Sequence, residues 1–118
     1  MHRILTIAVV ALGLVASAAA PALAGGPNVV HRDRVLANTN DVYNMTFRGG
    51  ETAEVAVVGD HDTDLDLYIY DENDNLIVSD TDYSDSCFVS WVPKWTGTFR
   101  VKIVNRGGVY NDYTLATN

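Results

Sequence analysis

The sequence predicts an all-β fold, an antiparallel sandwich in preference to a barrel, and three observations carry that reading. Apolar and polar residues alternate with period two from Val42 onward. Clusters of Gly, Asn, Asp, Ser and Pro recur every eight to twelve residues. No window shows the apolar stripe of an amphipathic helix. The 118 residues have room for one domain, and 47% hydrophobic residues argue against disorder despite a net charge of −7. One cysteine excludes an internal disulfide framework and any multi-thiolate metal centre. The acidic balance argues against nucleic acid or an anionic membrane surface as a partner, since both reward clustered Lys and Arg.

Residues 1–24 read as an export signal. Met1-His2-Arg3 gives a positive start, Ile4 to Ala20 is apolar apart from Thr6 and Ser17, and Ala22-Leu23-Ala24 is a small-x-small cleavage motif. The competing reading is a retained anchor, because Ile4 to Ala24 is just long enough to span a bilayer. The alanine-rich second half and the cleavage motif favour removal, with Gly25 as the new N-terminus and a secreted or periplasmic destination. Residues 25–118 are then a single domain.

The strands follow in order. Val29 to Ala37 is an optional first strand. Tyr43, Met45 and Phe47 alternate with Asn44 and Thr46 until Gly49-Gly50, and residues 52–58 rise into Val55-Ala56-Val57-Val58 before Gly59. Leu65, Leu67 and Ile69 alternate with Asp64, Asp66, Tyr68 and Tyr70. Asp71-Glu72-Asn73-Asp74-Asn75 is a turn by composition, so residues 64–79 read as a hairpin returning through Leu76-Ile77-Val78. Cys87 to Val92 is a strand that Pro93 stops. Phe99, Val101 and Ile103 alternate with Arg100, Lys102 and Val104, and Asn105-Arg106-Gly107-Gly108 turns into a last strand carrying Tyr110, Tyr113 and Leu115. Cys87 reads as a small buried hydrophobe, with an intermolecular disulfide as the other reading. Trp91 is expected in the core and Trp95 over one end of the sandwich.

The stretch Asp62-Thr63-Asp64-Leu65-Asp66-Leu67-Tyr68-Ile69-Tyr70-Asp71 resembles the bacterial pre-peptidase C-terminal domain family. Asn73-Asp74-Asn75-Leu76, Trp95-Thr96-Gly97-Thr98-Phe99-Arg100-Val101 and Tyr113-Thr114-Leu115 extend the likeness over most of residues 42–116. The resemblance implies a jelly-roll-like β-sandwich of seven to eight strands. It also implies a non-catalytic appendage of exported hydrolases, here with a signal peptide and no peptidase attached. Some relatives, the collagen-binding domains of clostridial collagenases, bind calcium and an extracellular fibre. Part of their ligand set precedes the first strand, where Gly25 to Asn40 offers only Asp33.

Charge is segregated along the chain, with 12 acidic residues and no Lys or Arg between Glu51 and Asp85. Two loops are rich enough in oxygen donors for a hard cation, with calcium as the candidate cofactor: Asp60, Asp62 and Asp64 in one, Asp80, Asp82 and Asp85 in the other. An EF-hand is excluded, since Leu65 stands where its glycine belongs and no helices flank the loop. The bland reading is a solvated acidic surface, with Asp64 and Asp66 facing Arg100 and Lys102 across neighbouring strands.

Catalysis finds little support. No G-x-S-x-G elbow frames a nucleophile, His61 has no second histidine to join it on a metal, and a domain of this size leaves little volume for a deep cleft. Tyr68, Tyr70 and Tyr83 are the candidate binding residues, because aromatics on a solvated face serve as contact anchors. The functional expectation is a secreted non-enzymatic module that binds an extracellular or envelope protein or polysaccharide, or assists an exported enzyme. The alternatives are a purely structural or protective acidic protein and, behind it, a small hydrolase.

Overall fold

Eight strands follow one another in chain order: β1 (Val30–Val35), β2 (Asn40–Phe47), β3 (Ala53–Val58), β4 (Leu65–Tyr70), β5 (Leu76–Asp80), β6 (Ser86–Trp91), β7 (Gly97–Asn105) and β8 (Asn111–Thr117). The structure, a computed structural model, describes residues 25–118, so the export-signal reading of residues 1–24 lies outside the described residues. The strands form two four-stranded sheets, in the orders β1-β8-β3-β6 and β2-β7-β4-β5, with every neighbouring pair antiparallel. The β4–β5 hairpin stays within one sheet, as expected for residues 64–79, and every other connection between consecutive strands crosses to the opposite sheet.

The period-two pattern is what builds the core. Leu65, Leu67 and Ile69 of β4, Phe99, Val101 and Ile103 of β7, and Val55 and Val57 of β3 are buried between the sheets with Leu115 of β8. Burying such side chains contributes about 1.5–3 kcal/mol each relative to exposure. Phe47, Trp91 and Phe99 meet in tilted and edge-on contacts, with ring centroids 4.9 to 5.9 Å apart. Trp91 is half-buried against this group, and Trp95 lies at one end of the sandwich, 43% exposed.

The optional first strand is real. β1 lies along β8, with Val30 opposite Ala116 and Val35 opposite Asn111. It is an edge strand exposed at every position but Val35, which explains why its sequence shows no alternation. On that side of the molecule the two sheets are joined by side chains. Tyr113 of β8 donates its hydroxyl proton to Asp41 Oδ2 at 2.6 Å, and the hydroxyls of Tyr43 and Tyr113 lie 2.6 Å apart. Tyr43 also reaches Asp33 Oδ2 at 3.2 Å. Burial and these carboxylate and hydroxyl neighbours push the Tyr113 phenol well above the usual range.

Leu67 is fully buried at the centre of the core. Leu67→Ala should lower the unfolding free energy by about 3–5 kcal/mol through lost transfer energy and a residual cavity, measured by urea denaturation with an unchanged m-value.

Candidate functional site

The strand register brings the connections at one end of the sandwich together. Leu65 pairs with Asn105, and Val35 with Asn111, so the β1–β2, β3–β4, β5–β6 and β7–β8 loops share that end. Both acidic loops are therefore neighbours, as a shared cation would require. They are held by buried polar side chains. Asp85, 5% exposed, accepts the His61 amide at 2.5 Å and the Asn111 side-chain amide at 3.2 Å. Fully buried Asn111 also accepts the Asp60 amide at 3.0 Å and donates to Thr63 O and Oγ1 at 3.3 and 3.1 Å. Gly59 packs so closely on Asp85 and Asn111 that any Cβ there would collide with both side chains.

The six predicted carboxylates are thus in one region but are not equivalent. Asp85 is a loop clamp. Asp60 spends Oδ1 on the Asp62 amide at 3.1 Å and Oδ2 on the Asp112 amide at 2.9 Å. Asp80 accepts the Phe88 amide at 2.9 Å, and Asp82 accepts the Ser84 amide at 3.1 Å. Asp62 is exposed. Among the described residues, no group of three His, Cys, Asp or Glu side chains converges as a metal site. Asp64 differs from the rest: its Oδ1 is buried with no hydrogen-bond partner, and so is Oδ1 of Asp66.

Asp66 corrects the expected cross-strand pairing. β4 and β7 are neighbours, but Asp66 faces Val104, while Arg100 and Lys102 face Tyr70 and Tyr68. The cation nearest Asp66 is Arg106 from the β7–β8 loop, with Nε 3.6 Å from Oδ2. Arg100 pairs instead with exposed Asp74 of the β4–β5 turn. Asp66 is outward but covered, its side chain only 6% exposed. Burial raises the carboxyl pKa of both Asp64 and Asp66. For Asp64 the charges of Asp66, Asp82 and Asp85 raise it further against Arg106; for Asp66, Asp80 and Asp82 act the same way, opposed by Arg106 and Tyr68.

The tyrosines lie on the outer face of the β2-β7-β4-β5 sheet. Tyr68 and Tyr70 are half-buried, their centroids 6.3 Å apart and their planes 21° from parallel. The Arg100 guanidinium lies 5.3 Å from the Tyr70 centroid, within cation–π range. The register extends the face into two rows, Val42–Lys102–Tyr68–Ser79 and Asn44–Arg100–Tyr70–Leu76. Tyr83 stands apart in the β5–β6 loop, 97% exposed.

Cys87 is buried, its thiol donating to Leu65 O at 3.2 Å, and burial together with nearby carboxylates pushes its pKa above the usual thiol range. This matches a small core residue and keeps the sulfur out of a partner's reach. His61 is an exposed loop residue at a positive φ of 75°. Asn105 and Asn111, fixed inside the acidic end, were invisible as functional positions in the sequence. Their only signal is an Asn at each border of the β7–β8 turn, which composition reads as ordinary turn chemistry.

No known family matches the sequence, and no curated protein does. Among solved structures the chain is similar to the pre-peptidase C-terminal domain of a collagenase from Bacillus anthracis. The identity is 12% and the TM-score 0.61, over 77% of this chain and 89% of that one. A de novo designed double-stranded β-helix aligns at 8% identity with a TM-score of 0.41, over 75% of this chain and 99% of that one. The first likeness is one of fold, and it agrees with the sandwich that the D-x-D-L-D-L-Y stretch implied.

Two outcomes follow from the acidic end. Asp85→Ala leaves the His61 amide and the Asn111 side chain short of an acceptor, and should cost about 1–3 kcal/mol. Hydrogen exchange should show the His61 amide losing protection while the amides of β4 and β7 keep theirs. Asp66→Asn should act in the opposite direction in metal-free buffer. A carboxyl whose folded pKa is raised stabilises the fold below that pKa, and the contribution is lost as pH rises through it. At neutral pH the substitution should therefore raise the melting midpoint by a few degrees, and the gain over the parent should vanish in acid, read by thermal unfolding from pH 4 to pH 8.

Proposed function

We propose that this protein is an exported, non-catalytic β-sandwich module that binds an extracellular or envelope macromolecule through the outer face of the β2-β7-β4-β5 sheet. The observation that carries the reading is the file of Tyr68 and Tyr70, flanked in register by Lys102 and Arg100. Tyrosine buries a large apolar surface with a polar tip at low entropic cost, which is why it concentrates binding energy when a partner covers it. Asn44, Ser79 and Thr46 supply exposed hydrogen-bonding groups around the pair, and Leu76 and Val42 supply exposed apolar surface. The partner class is a protein fibre or a polysaccharide encountered after export, or an exported enzyme that the module assists. The fold likeness to a collagenase domain supports an accessory role, and Tyr83 lies too far into the β5–β6 loop to share the same flat face.

Co-sedimentation with insoluble envelope polysaccharide and with fibrillar extracellular protein tests the reading. Saturable binding to one of them should weaken at least ten-fold in the Tyr68→Ala/Tyr70→Ala double variant. Tyr83→Ala should bind as the parent does, and the melting midpoints of the variants should show that the sheet remains folded. Binding that survives the double substitution would move the contact surface elsewhere, and absence of any saturable partner would leave the structural, ligand-free reading in its place.

A further inference from the structure

Among the described residues each sheet has two edge strands, β1 and β6 in one and β2 and β5 in the other. A free edge presents unpaired backbone groups to any strand that meets it, and folded proteins blunt their edges. β1 carries Arg32, Asp33 and Arg34 in succession. β5 is five residues long, and its register with β4 is broken between Ile69 and Tyr70. On β6 the Phe88 amide is taken by Asp80 Oδ2 at 2.9 Å. β2 has no such device. It runs for eight residues without Gly, Pro, Lys or Arg, in unbroken register from Asn40 opposite Val104 to Phe47 opposite Gly97. Its one carboxylate, Asp41, is held by the Tyr113 hydroxyl. The Asn105 amide donates to Thr39 O at 2.9 Å, which by alternation turns the odd-numbered residues of β2 toward β7. The amides and carbonyls of Asn40, Val42, Asn44 and Thr46 therefore point the other way, where β2 has no strand neighbour among the described residues. Arg48, next in that series, shows that the edge accepts a partner: its amide donates to Gly25 O at 2.8 Å.

We propose that the open edge of β2 captures an acidic, extended segment of a partner protein as an added β-strand. Backbone hydrogen bonds supply the attachment, and charge selects the segment. On the side facing the interior, Tyr43 is already stacked on His31 at a centroid distance of 5.4 Å and bonded to Asp33, so the outer side chains set the partner's chemistry. There Val42 and Asn44 are exposed, with Lys102 and Arg100 directly behind them on β7. The chain has 15 acidic residues, yet the outward positions of β2 and β7 carry none. Among the described residues Lys102 has no ion-pair partner, whereas Arg100 is shared with Asp74. Neighbouring strands lie about 4.8 Å apart, so an added strand stands about 10 Å from β7, a gap that Lys102 and a glutamate of the partner close from either side. A basic segment would meet the same two cations and be repelled. The edge is separate from the tyrosine pair, and either can fail alone.

The test is a nuclear magnetic resonance titration of residues 25–118, which contain both complete sheets, with synthetic peptides long enough to span β2. One peptide alternates threonine and glutamate, a second has lysine in place of glutamate, and a third is the acidic peptide interrupted by proline. The acidic peptide should bind saturably, shift the amides of Val42, Asn44 and Thr46, slow their hydrogen exchange, and weaken with added salt. The lysine and proline-interrupted peptides should not bind. Asn44→Pro removes an outward amide and leaves the ladder with β7 intact, as an edge position allows. It should weaken the acidic peptide several-fold, and so should Lys102→Glu. Shifts confined to residues outside β2, equal binding of the acidic and basic peptides, or no saturable shift would overturn the proposal. Self-association of the free protein through the same amides would also overturn it, since a second copy would then be the occupant. If Asn44→Pro does not fold, Lys102→Glu decides the matter.

Discussion

Asp85 and Asn111, buried side by side, hold the acidic end of the sandwich closed. A carboxylate taken out of water is costly unless hydrogen bonds replace its hydration. Here the replacements are the His61 amide and the Asn111 side chain, with the Asp85 carbonyl accepting the Gly59 amide at 2.9 Å. The β3–β4 and β5–β6 loops that this group joins are both places where the chain changes sheets. The clamp thus ties the crossing that leads into β4 to the crossing that leads out of β5. The absence of a side chain at Gly59 is what allows the approach.

Much of the fold was legible because its causes are local. Alternation at Leu65, Leu67 and Ile69 or at Phe99, Val101 and Ile103 depends only on a strand having one buried face. The turn at 71–75 is set by Asp71, whose Oδ1 accepts the amides of Asn73 and Asn75 at 2.8 and 2.9 Å. Those bonds also hold the Asp71 carboxyl below its usual pKa. Such a motif is complete within five residues and can be read from them. The register between β4 and β7 is not local. Nothing in either segment says that Asp66 meets Val104, so the expected pairing with Arg100 and Lys102 gave way to tyrosine neighbours.

The acidic run shows the same division. Composition reveals that carboxylates are concentrated between residues 51 and 85, and it cannot show that they do different work. Asp71 and Asp85 replace missing backbone partners. Asp74, like Asp112 farther along the chain, answers an arginine. Asp64 and Asp66 do neither completely. By sequence Asp66 is a surface residue, because it alternates correctly with Leu65 and Leu67. Alternation fixes the face on which a side chain lies and sets Tyr68 beside Asp66, but Arg106, which closes over it, comes from the β7–β8 loop, a position that the pattern does not connect.

The tyrosine face and the acidic end meet on one strand. Tyr68 follows Asp66 by two residues on the outer face of β4, and its hydroxyl is 3.5 Å from the Asp66 carboxylate. Tyr70 continues the file toward Arg100. Lys102 and Arg100 flank the tyrosines in register, while the Asp66 carboxylate stands at one end of the file. A partner that covers this face therefore meets positive charge along the rows and negative charge only at that end, so the direction of the file is distinguished by charge as well as by shape.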